Sequence, residues 1–423
     1  MLASGLSVAM VGCRSNGVVV LSVLLLGEMM SADERRWRSW FRLLLVQSFI
    51  LHSLTVIVRV ALSYRILEIG LDSWWVGIVG GAFGALPAVL GMHLGVVIDR
   101  NGEARPLIAG AVIILAGAVG LWISGDNLAI LLACSIALGL GQFICVVAQH
   151  SVIARSAAPS KRDNAFGLFT VVISLAQAVS PGLLALFDRE SAVPDTQGIF
   201  LLGVGAAVLL LLSIVLTRLP DHAPAPDRRG LWRVMQALVR IRGFNLSLLA
   251  ALVIVAGIDL LVIYLPVFGA ERGISASVIG YLLAVRAASS IASRLLFSRL
   301  IRLLGRGALL ILSMLLAGCG IALLPLTTDI YLLTLELIAT GFGLGIGAPL
   351  TLSWISETSP VGMRGVAVSV RLAANRIGQA VLPVAASAVI VGVGAGGVFW
   401  AMAAILGLSA LLCCGHFARE RGR

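Results

Sequence analysis

Residues 95–105 read GVVIDRNGEAR, and the interpretation of the whole chain begins with this stretch. Four of its eleven residues are charged, whereas long apolar runs lie on both sides of it. Charged side chains are costly inside a bilayer, so a short charged stretch between two apolar runs is typical of a loop between membrane helices. The stretch therefore predicts helices that cross a membrane, with residues 95–105 at one surface.

The composition agrees with a membrane protein that has several spans. The 423 residues are 59% hydrophobic and 12% charged, and the mean hydropathy is +1.05. Soluble domains typically contain about 25% charged residues, so a soluble globule is excluded. The six cysteines show neither C-x-x-C nor metal-ligand spacing, and no phosphate-binding or hydrolase motif occurs. We therefore expect no disulfides, no metal, no cofactor and no enzymatic activity.

The net charge of +11 could indicate a nucleic-acid partner, but the positions of the basic residues indicate membrane topology. Once the helices are laid out, 23 of the 31 basic residues fall on the side of residues 95–105. Only three fall on the opposite side; four lie inside helices and one near the start. By the positive-inside rule, the basic loops and both termini are cytoplasmic. We expect the bacterial inner membrane as the location, lipid as the surroundings and no nucleic-acid partner.

Twelve apolar segments have the length that a membrane helix needs, about 20 residues. They are residues 43–67, 74–98, 106–124, 128–153, 165–187, 198–217, 244–270, 275–298, 307–325, 330–354, 365–391 and 396–417. Residues 218–243, the longest break, are rich in Pro, Asp and Arg and indicate a cytoplasmic linker. The linker separates a first bundle, 43–217, from a second, 244–417, which is followed by a tail, 418–423.

Residues 1–42 are interpreted as an extension and a cytoplasmic segment. The first 28 residues contain two apolar pieces, split by Arg14, that are each too short to span a bilayer. A signal peptide is one interpretation, but the basic segment RRWRSWFR at 35–42 follows directly. We favour a translation start at Met29 or Met30.

The two predicted bundles repeat one another at an offset near 202 residues. Residues 139–141, GLG, correspond to 341–343, GFG, and residues 177–181, QAVSP, correspond to 379–383, QAVLP. In this register Arg302 occupies the position of Asp99. The repeats indicate a duplicated six-helix unit.

The spacing G-x-x-x-D-R-x-G-x-x-R resembles the signature loop between helices 2 and 3 of the major facilitator superfamily. It is formed by Gly95, Asp99, Arg100, Gly102 and Arg105. The resemblance implies an all-α polytopic membrane protein with twelve transmembrane helices in two pseudo-symmetric six-helix bundles. It also implies that Asp99 is a conformational latch, with Arg100 and Arg105 as local cations. A solvated loop that only obeys the charge rule is the alternative, and the second loop has lost the carboxylate.

Ionisable residues inside the predicted helices cost at least about 2.5–3.5 kcal/mol each, so they should face protein or water. Six residues qualify: Arg59, Asp259, Arg286, Glu336, Arg371 and Arg376. With polar neighbours at helical spacing, they give these candidates for the substrate cavity: Ser48, His52, Arg59, Gln142, Gln149, Arg371, Asn375 and Gln379. Other interpretations stay open, because Arg371 and Arg376 can be structural near a helix end and His52 can be a packing residue.

Asp259 and Glu336 are the candidate proton-coupling groups, with Arg286 and Arg371 as their expected partners. Desolvation and a nearby arginine act on a carboxylate in opposite directions, so moving the arginine would change proton binding. Two static salt bridges are an equally good interpretation of these residues.

The fifth predicted helix resembles the antiporter motif of the same superfamily, G-x8-G-x3-G-P-x2-G-G. Gly167 and Pro181 match the motif, whereas Ala176 and Ser180 replace glycines. Ser135 stands where many proton-coupled exporters have an arginine. These departures make the indication of export a modest one.

The sequence thus predicts a monomeric secondary transporter of a small molecule by alternating access, with proton-coupled efflux as the favoured mode. A transporter of small organic anions, as importer or exporter, is the alternative suggested by the excess of intramembrane arginine. An embedded enzyme or sensor is a distant alternative, since neither a catalytic motif nor a sizeable output domain is evident.

Overall fold

The computed structural model describes residues 32–156, 159–187, 192–217, 236–241, 243–360 and 364–421. The long elements of these residues are all helices. They are α1 (Ala32–Glu68), α2 (Trp74–Asn101), α3 (Ala104–Ile123), α4 (Leu128–Ser156), α5 (Pro159–Val179, continued by a 3-10 segment, Ser180–Phe187), α6 (Thr196–Leu216), α7 (Phe244–Glu271), α8 (Ala276–Leu304), α9 (Arg306–Leu323), α10 (Ile330–Thr358), α11 (364–393) and α12 (395–421). The proposed linker and start sites lie largely or wholly outside the described residues.

Helices α11 and α12 are separated only by Gly394. Its φ of 69° and ψ of −171° break the helical hydrogen bonding, and a positive φ of this kind favours glycine. Glu271, at the end of α7, accepts a hydrogen bond from the backbone N–H of Ala395 and so caps the first turn of α12. Eleven helical stretches of the described chain are long and apolar enough to cross a membrane, and the last, Val366–Arg419, contains this break. Counting that stretch as two confirms the prediction of twelve crossings.

The two six-helix halves pack in the same way. In the first half, α3 packs against α4 and α6, α1 against α6, and α2 against α4. In the second half, α9 packs against α10 and α12, α7 against α12, and α8 against α10. The second set follows from the first when six is added to each helix number. The prediction of two pseudo-symmetric bundles is therefore confirmed.

The halves meet where α2 packs against α11, α5 against α8, and α1 against α7. Small residues let the backbones approach closely at these contacts. A Cβ atom on Gly81 would lie 2.6 Å from the Ala380 carbonyl oxygen, and one on Gly280 would overlap the Pro181 carbonyl. Ser387 also donates to the carbonyl of Trp74 at 2.7 Å. These contacts lie toward the ends where α2 and α8 begin, so the halves are closed on the side away from the basic loops.

Candidate functional site

Arg59 and Asp259 form a buried ion pair between the two halves. Arg59 lies on α1 and Asp259 on α7, and Arg59 Nη1 is 2.5 Å from Asp259 Oδ1. Both side chains are only 9% exposed. Arg59 Nε, Arg59 Nη2 and Asp259 Oδ2 are buried and have no hydrogen-bond partner in the described part of the chain. The pair is incompletely satisfied, and such pairs are costly unless further groups complete them.

Two phenylalanine rings cover guanidinium faces next to this pair. The Cζ atom of Arg59 lies 5.0 Å from the ring centroid of Phe83 on α2. The Cζ atom of Arg376, on α11, lies 5.2 Å from the ring centroid of Phe143 on α4. Arg376 Nη1 also donates to Gln379 Oε1 at 2.8 Å. The rings attract the flat faces of both cations and leave the N–H groups at the edges for other partners.

Arg286 adds a third cation from α8. Its side chain is buried, at 4% exposure, and its Nε atom has no hydrogen-bond partner among the described residues. Its carbonyl oxygen packs against Gly341 of α10, which fixes the backbone at this point. Asp259 lies within electrostatic reach of both Arg286 and Arg376. One carboxylate on α7 therefore interacts electrostatically with arginines from α1, α8 and α11.

The direct partner of Asp259 is Arg59, so the expectation that Arg286 would pair with it is wrong. The expected pairing of Arg371 with Glu336 is also wrong. Arg371 Nη2 instead lies 3.2 Å from the carbonyl oxygen of Ala348 and 3.4 Å from Thr351 Oγ1, both on α10. These contacts support the structural interpretation of Arg371, which braces α11 against α10.

At Glu336 the backbone of α10 packs against α9. A Cβ atom on Gly320 of α9 would lie 2.6 Å from the Glu336 carbonyl oxygen and would also meet Thr340, one turn along α10. Glu336 Oε2 is buried without a hydrogen-bond partner in the described chain. The structure therefore separates the two candidate proton-coupling carboxylates into different surroundings.

Ser48, His52 and Thr55, three polar residues of α1, form hydrogen bonds within their own helix. His52 Nδ1 lies 2.9 Å from the carbonyl oxygen of Ser48, and Thr55 Oγ1 donates to the carbonyl oxygen of Leu51 at 2.7 Å. Ser48 is fully buried and His52 nearly so. Local bonds of this kind satisfy a polar group inside a membrane helix, which supports the packing interpretation of His52.

Buried amides on α4 and α11 are less well satisfied. Gln142 Oε1, both amide atoms of Gln149 and Asn375 Oδ1 have no hydrogen-bond partner among the residues described. Gln149 is completely buried and Gln142 is 8% exposed. An unsatisfied buried amide is costly, so these side chains indicate places where water or a polar ligand binds.

The free space beside Arg59 is small in this conformation. A cavity of about 10 Å³ is lined by Arg59, Ser63, Phe83, Ser135 and Ile263. A second cavity of the same size also borders Arg59, next to Thr55 and Leu138. Each can hold about one water molecule, so the site is nearly closed around the ion pair.

The predicted latch lies at the turn between α2 and α3. Gly102 ends α2 with a φ of 74°, and the corresponding Gly305 ends α8 with a φ of 73°. The side chains of Asp99 and Arg100 are outside the described set, Arg105 is exposed, and a Cβ atom on Gly95 would meet nothing nearby. The latch role of this stretch stays a prediction.

Glu103, the next residue after the turn, makes the contacts that the structure describes here. It is 3% exposed and accepts a hydrogen bond from Arg155 Nη1 at 2.9 Å and another from Ser151 Oγ at 3.1 Å. Glu103 precedes the first turn of α3 and Arg155 lies in the last turn of α4. The negative charge of Glu103 lies at the positive end of the α3 dipole and the positive charge of Arg155 at the negative end of the α4 dipole, so both interactions are favourable.

The second repeat has the same ion pair with the charges exchanged. The equivalent residues are Arg306, which begins α9, and Glu357, near the end of α10, and they form an ion pair. Ser353, the equivalent of Ser151, donates to Glu357 Oε1 at 3.2 Å. Neither pair was predicted from the sequence, although the repeat offset aligns Glu103 with Arg306 and Arg155 with Glu357. Each pair connects the start of the helix that follows the turn at Gly102 or Gly305 to the end of the next helix.

The antiporter-like residues of α5 lie at its contact with α8. Ser180 donates to the carbonyl of Ala176, and the helix tightens to a 3-10 form from Ser180 onward. The Pro181 carbonyl packs against Gly280 of α8, whereas a Cβ atom on Gly167 would meet nothing nearby. The end of the motif that contains Ser180 and Pro181 therefore contributes to the closed contact between the halves.

Comparisons with known proteins agree with this architecture. The sequence model of the Major Facilitator Superfamily matches residues 43–275 and 247–422. No curated protein sequence matches the chain. The structure is similar to a crystal structure of the peptide transporter POT in complex with sulfate, with a TM-score of 0.74 or 0.75 depending on the variant crystallised, 17% identity, and coverage of 90% of this chain and 94% of that chain. It is also similar to the nucleoside transporter NupG, with a TM-score of 0.70, 14% identity, and coverage of 89% of this chain and 99% of that chain. At these identities the similarity to solved structures shows the fold alone.

Proposed function

The chain belongs to the Major Facilitator Superfamily, and from this premise we propose that it is a proton-coupled secondary transporter that exports a small molecule by alternating access. The observation that carries the proposal is the ion pair between Arg59 and Asp259, which joins the two halves inside the membrane. Parallel repeats of this kind place the substrate site between the halves near mid-membrane. The pair therefore lies where substrate binding and rocking of the halves would act on the same charges.

Rocking that separates α1 from α7 on the closed side would pull Arg59 away from Asp259. A buried carboxylate that loses its cation binds a proton more readily than a paired one. Asp259 would then take up a proton in one state and release it when Arg59 returns. Glu336 is a second candidate for proton binding, because one of its oxygens is buried without a partner in the described chain.

Export as the direction of transport is supported by the resemblance of α5 to the antiporter motif, in which Gly167 and Pro181 match. The bacterial inner membrane as location, cytoplasmic termini and a cytoplasmic linker at 218–243 are supported by the distribution of basic residues. A monomer is sufficient for this mechanism, since both halves of the site come from one chain.

The test compares Asp259→Asn with Asp126→Asn in inverted membrane vesicles. Asp126 is a suitable control because its side chain is 84% exposed in a loop. A panel of small metabolites and drugs is assayed for accumulation with the pH gradient present and collapsed, and for exchange without a gradient. Asp259→Asn should lose gradient-driven accumulation and keep exchange, and Asp126→Asn should behave as the wild type. Gradient-driven accumulation that persists in Asp259→Asn would refute the proton role of Asp259.

A further inference from the structure

We propose that Arg59, Arg286 and Arg376 form the binding site for a small organic substrate that carries two negative charges. In this proposal the substrate displaces Asp259 as the counter-ion of Arg59. The inference rests on the proposed transport function and adds the chemical class of the substrate, such as a dicarboxylate or a phosphate monoester.

The charge balance of the site favours an anion. Arg59 is paired with Asp259, and Arg286 and Arg376 lie within electrostatic range of the same carboxylate, which leaves an excess of two positive charges within the described residues of the site. The charged groups that act on Arg286 within the described chain are Asp259 and Arg294, and Glu336 is not among them. Arg294, partly buried about two turns further along α8, donates to Ser174 Oγ at 2.5 Å and adds positive charge near Arg286. Uncompensated charge is unfavourable inside a membrane protein, and a dianion would neutralise it.

Two of these arginines have hydrogen-bond donors that are not used. Arg59 Nε, Arg59 Nη2 and Arg286 Nε are buried without a hydrogen-bond partner in the described chain. Phe83 and Phe143 cover the faces of Arg59 and Arg376, so N–H groups at the edges are the groups left to bind a ligand. The edge of a guanidinium group matches the geometry of carboxylate and phosphate oxygens, which it can bind in pairs.

Buried amide side chains lie next in sequence to Phe143 and Arg376. Gln142 precedes Phe143 on α4, and Asn375 precedes Arg376 on α11, and each has an amide oxygen that is buried without a partner among the described residues. Amides can bind the hydroxyl or amino groups of a small metabolite but cannot neutralise charge. A cationic substrate would increase the positive excess, and a neutral one would leave it unchanged. The site therefore favours a polar dianion.

The relation between Asp259 and the substrate is competitive. Asp259 already occupies Nη1 of Arg59 at 2.5 Å, so an incoming anion that binds the unused donors Nε and Nη2 competes with Asp259 for the charge of Arg59. Removing the negative charge of Asp259 should consequently strengthen anion binding, whereas removing the positive charge of Arg286 should weaken it. These two variants have opposite expected effects, which a general loss of folding would not produce.

The experiment measures thermal unfolding of the purified full-length protein in detergent at matched ionic strength. The probes are succinate and glycerol phosphate as dianions, acetate and chloride as monoanions, and tetraethylammonium as a cation. In the wild type the dianions should raise Tm more than the monoanions. Half-saturation should need about tenfold more dianion in Arg286→Gln and several-fold less in Asp259→Asn. Arg299→Gln, an exposed position on the same helix, is the matched control and should bind as the wild type does.

Arg376→Gln serves as the second loss variant if Arg286→Gln does not fold. Equal increases in Tm on addition of dianion to Arg286→Gln and Arg299→Gln would show adventitious binding and overturn the proposal. Stabilisation of the wild type by the cation only, or by no dianion at all, would also overturn it. The vesicle assay of Asp259→Asn is independent of these probes. In that assay Asp259→Asn is expected to lose gradient-driven accumulation and to keep exchange. If this result is obtained while dianions fail to bind, the proton-coupled transport proposal stands and only the substrate class is refuted.

Discussion

Arg59 on α1 and Asp259 on α7 connect the two halves of the protein through one buried ion pair, at 2.5 Å. The two residues are 200 positions apart in sequence and belong to different repeats. The pair lies next to glycine-mediated contacts that close the halves on one side of the membrane. Any motion that opens this side must therefore change the surroundings of both charges.

We expect Asp259→Asn to destabilise the protein more than Arg59→Gln does. Loss of one partner of a buried pair typically costs about 3–5 kcal/mol, because an uncompensated charge remains. Without Arg59, Asp259 still has Arg286 and Arg376 within reach, whereas without Asp259 three cations lose their shared anion. Thermal unfolding of the purified variants measures the difference, with Arg299→Gln as control. An equal loss of stability in both variants would contradict the arrangement of cations described above.

The stability that is lost when the charge at Glu103 is reversed should be restored when the charge at Arg155 is reversed as well. Glu103→Arg places two cations together in a buried position and removes a charge-assisted bond, which typically contributes about 1.5–3 kcal/mol. The double variant Glu103→Arg/Arg155→Glu recreates the polarity of Arg306 and Glu357 in the second repeat, and should recover most of the loss. Thermal unfolding tests this cycle. A double variant that is no more stable than Glu103→Arg would show that the pair does not act as a unit.

Reversing the charge of Arg306 in the second repeat should lower the stability less than reversing the charge of Glu103. Arg306 and Glu357 have side-chain exposures of 28% and 53%, against 3% for Glu103. Their charges also oppose the dipoles of the helix ends at which they lie. We expect Arg306→Glu to lower Tm less than Glu103→Arg does, and a larger decrease in Tm for Arg306→Glu would contradict this reasoning.

A side chain at Gly81 should prevent closure of the halves. A Cβ atom there would lie 2.6 Å from the Ala380 backbone oxygen, which cannot move away as a flexible side chain can. We expect Gly81→Val to express normally and to lose transport. A Val79→Cys reporter in a background free of other cysteines should become reactive to an impermeant maleimide, since Val79 is buried in the closed form. Gly205→Val, in open space on α6, is the control and should leave transport and labelling unchanged.

Asp99→Asn tests the predicted latch. If Asp99 stabilises one conformation, its neutralisation shifts the balance between the two states without touching the substrate site. Turnover should fall at equal expression, and Arg302→Gln, at the equivalent position of the second repeat, should have a smaller effect. Unchanged turnover in Asp99→Asn would reduce this loop to a signal for topology.

Much of the fold could be predicted from the sequence alone. The twelve crossings and the division into two six-helix repeats follow from hydropathy, charge and internal similarity, which are read residue by residue along the chain. The superfamily is indicated by the spacing from Gly95 to Arg105, because this spacing resembles the signature loop of that family. The sequence also identified the buried ionisable residues, since any charge within an apolar run must be functional or paired.

The tertiary structure decided which of these residues meet. Helical periodicity places a residue on a face of its own helix but does not state how that helix is rotated against its neighbours. For this reason Asp259 pairs with Arg59 rather than Arg286, and Glu336 lies against α9 rather than beside Arg371. The exchanged ion pairs of Glu103 with Arg155 and Arg306 with Glu357 were missed for a related reason. They depend on contacts between residues 52 and 51 positions apart, at the outer ends of consecutive helices, and only packing brings such residues within hydrogen-bond distance.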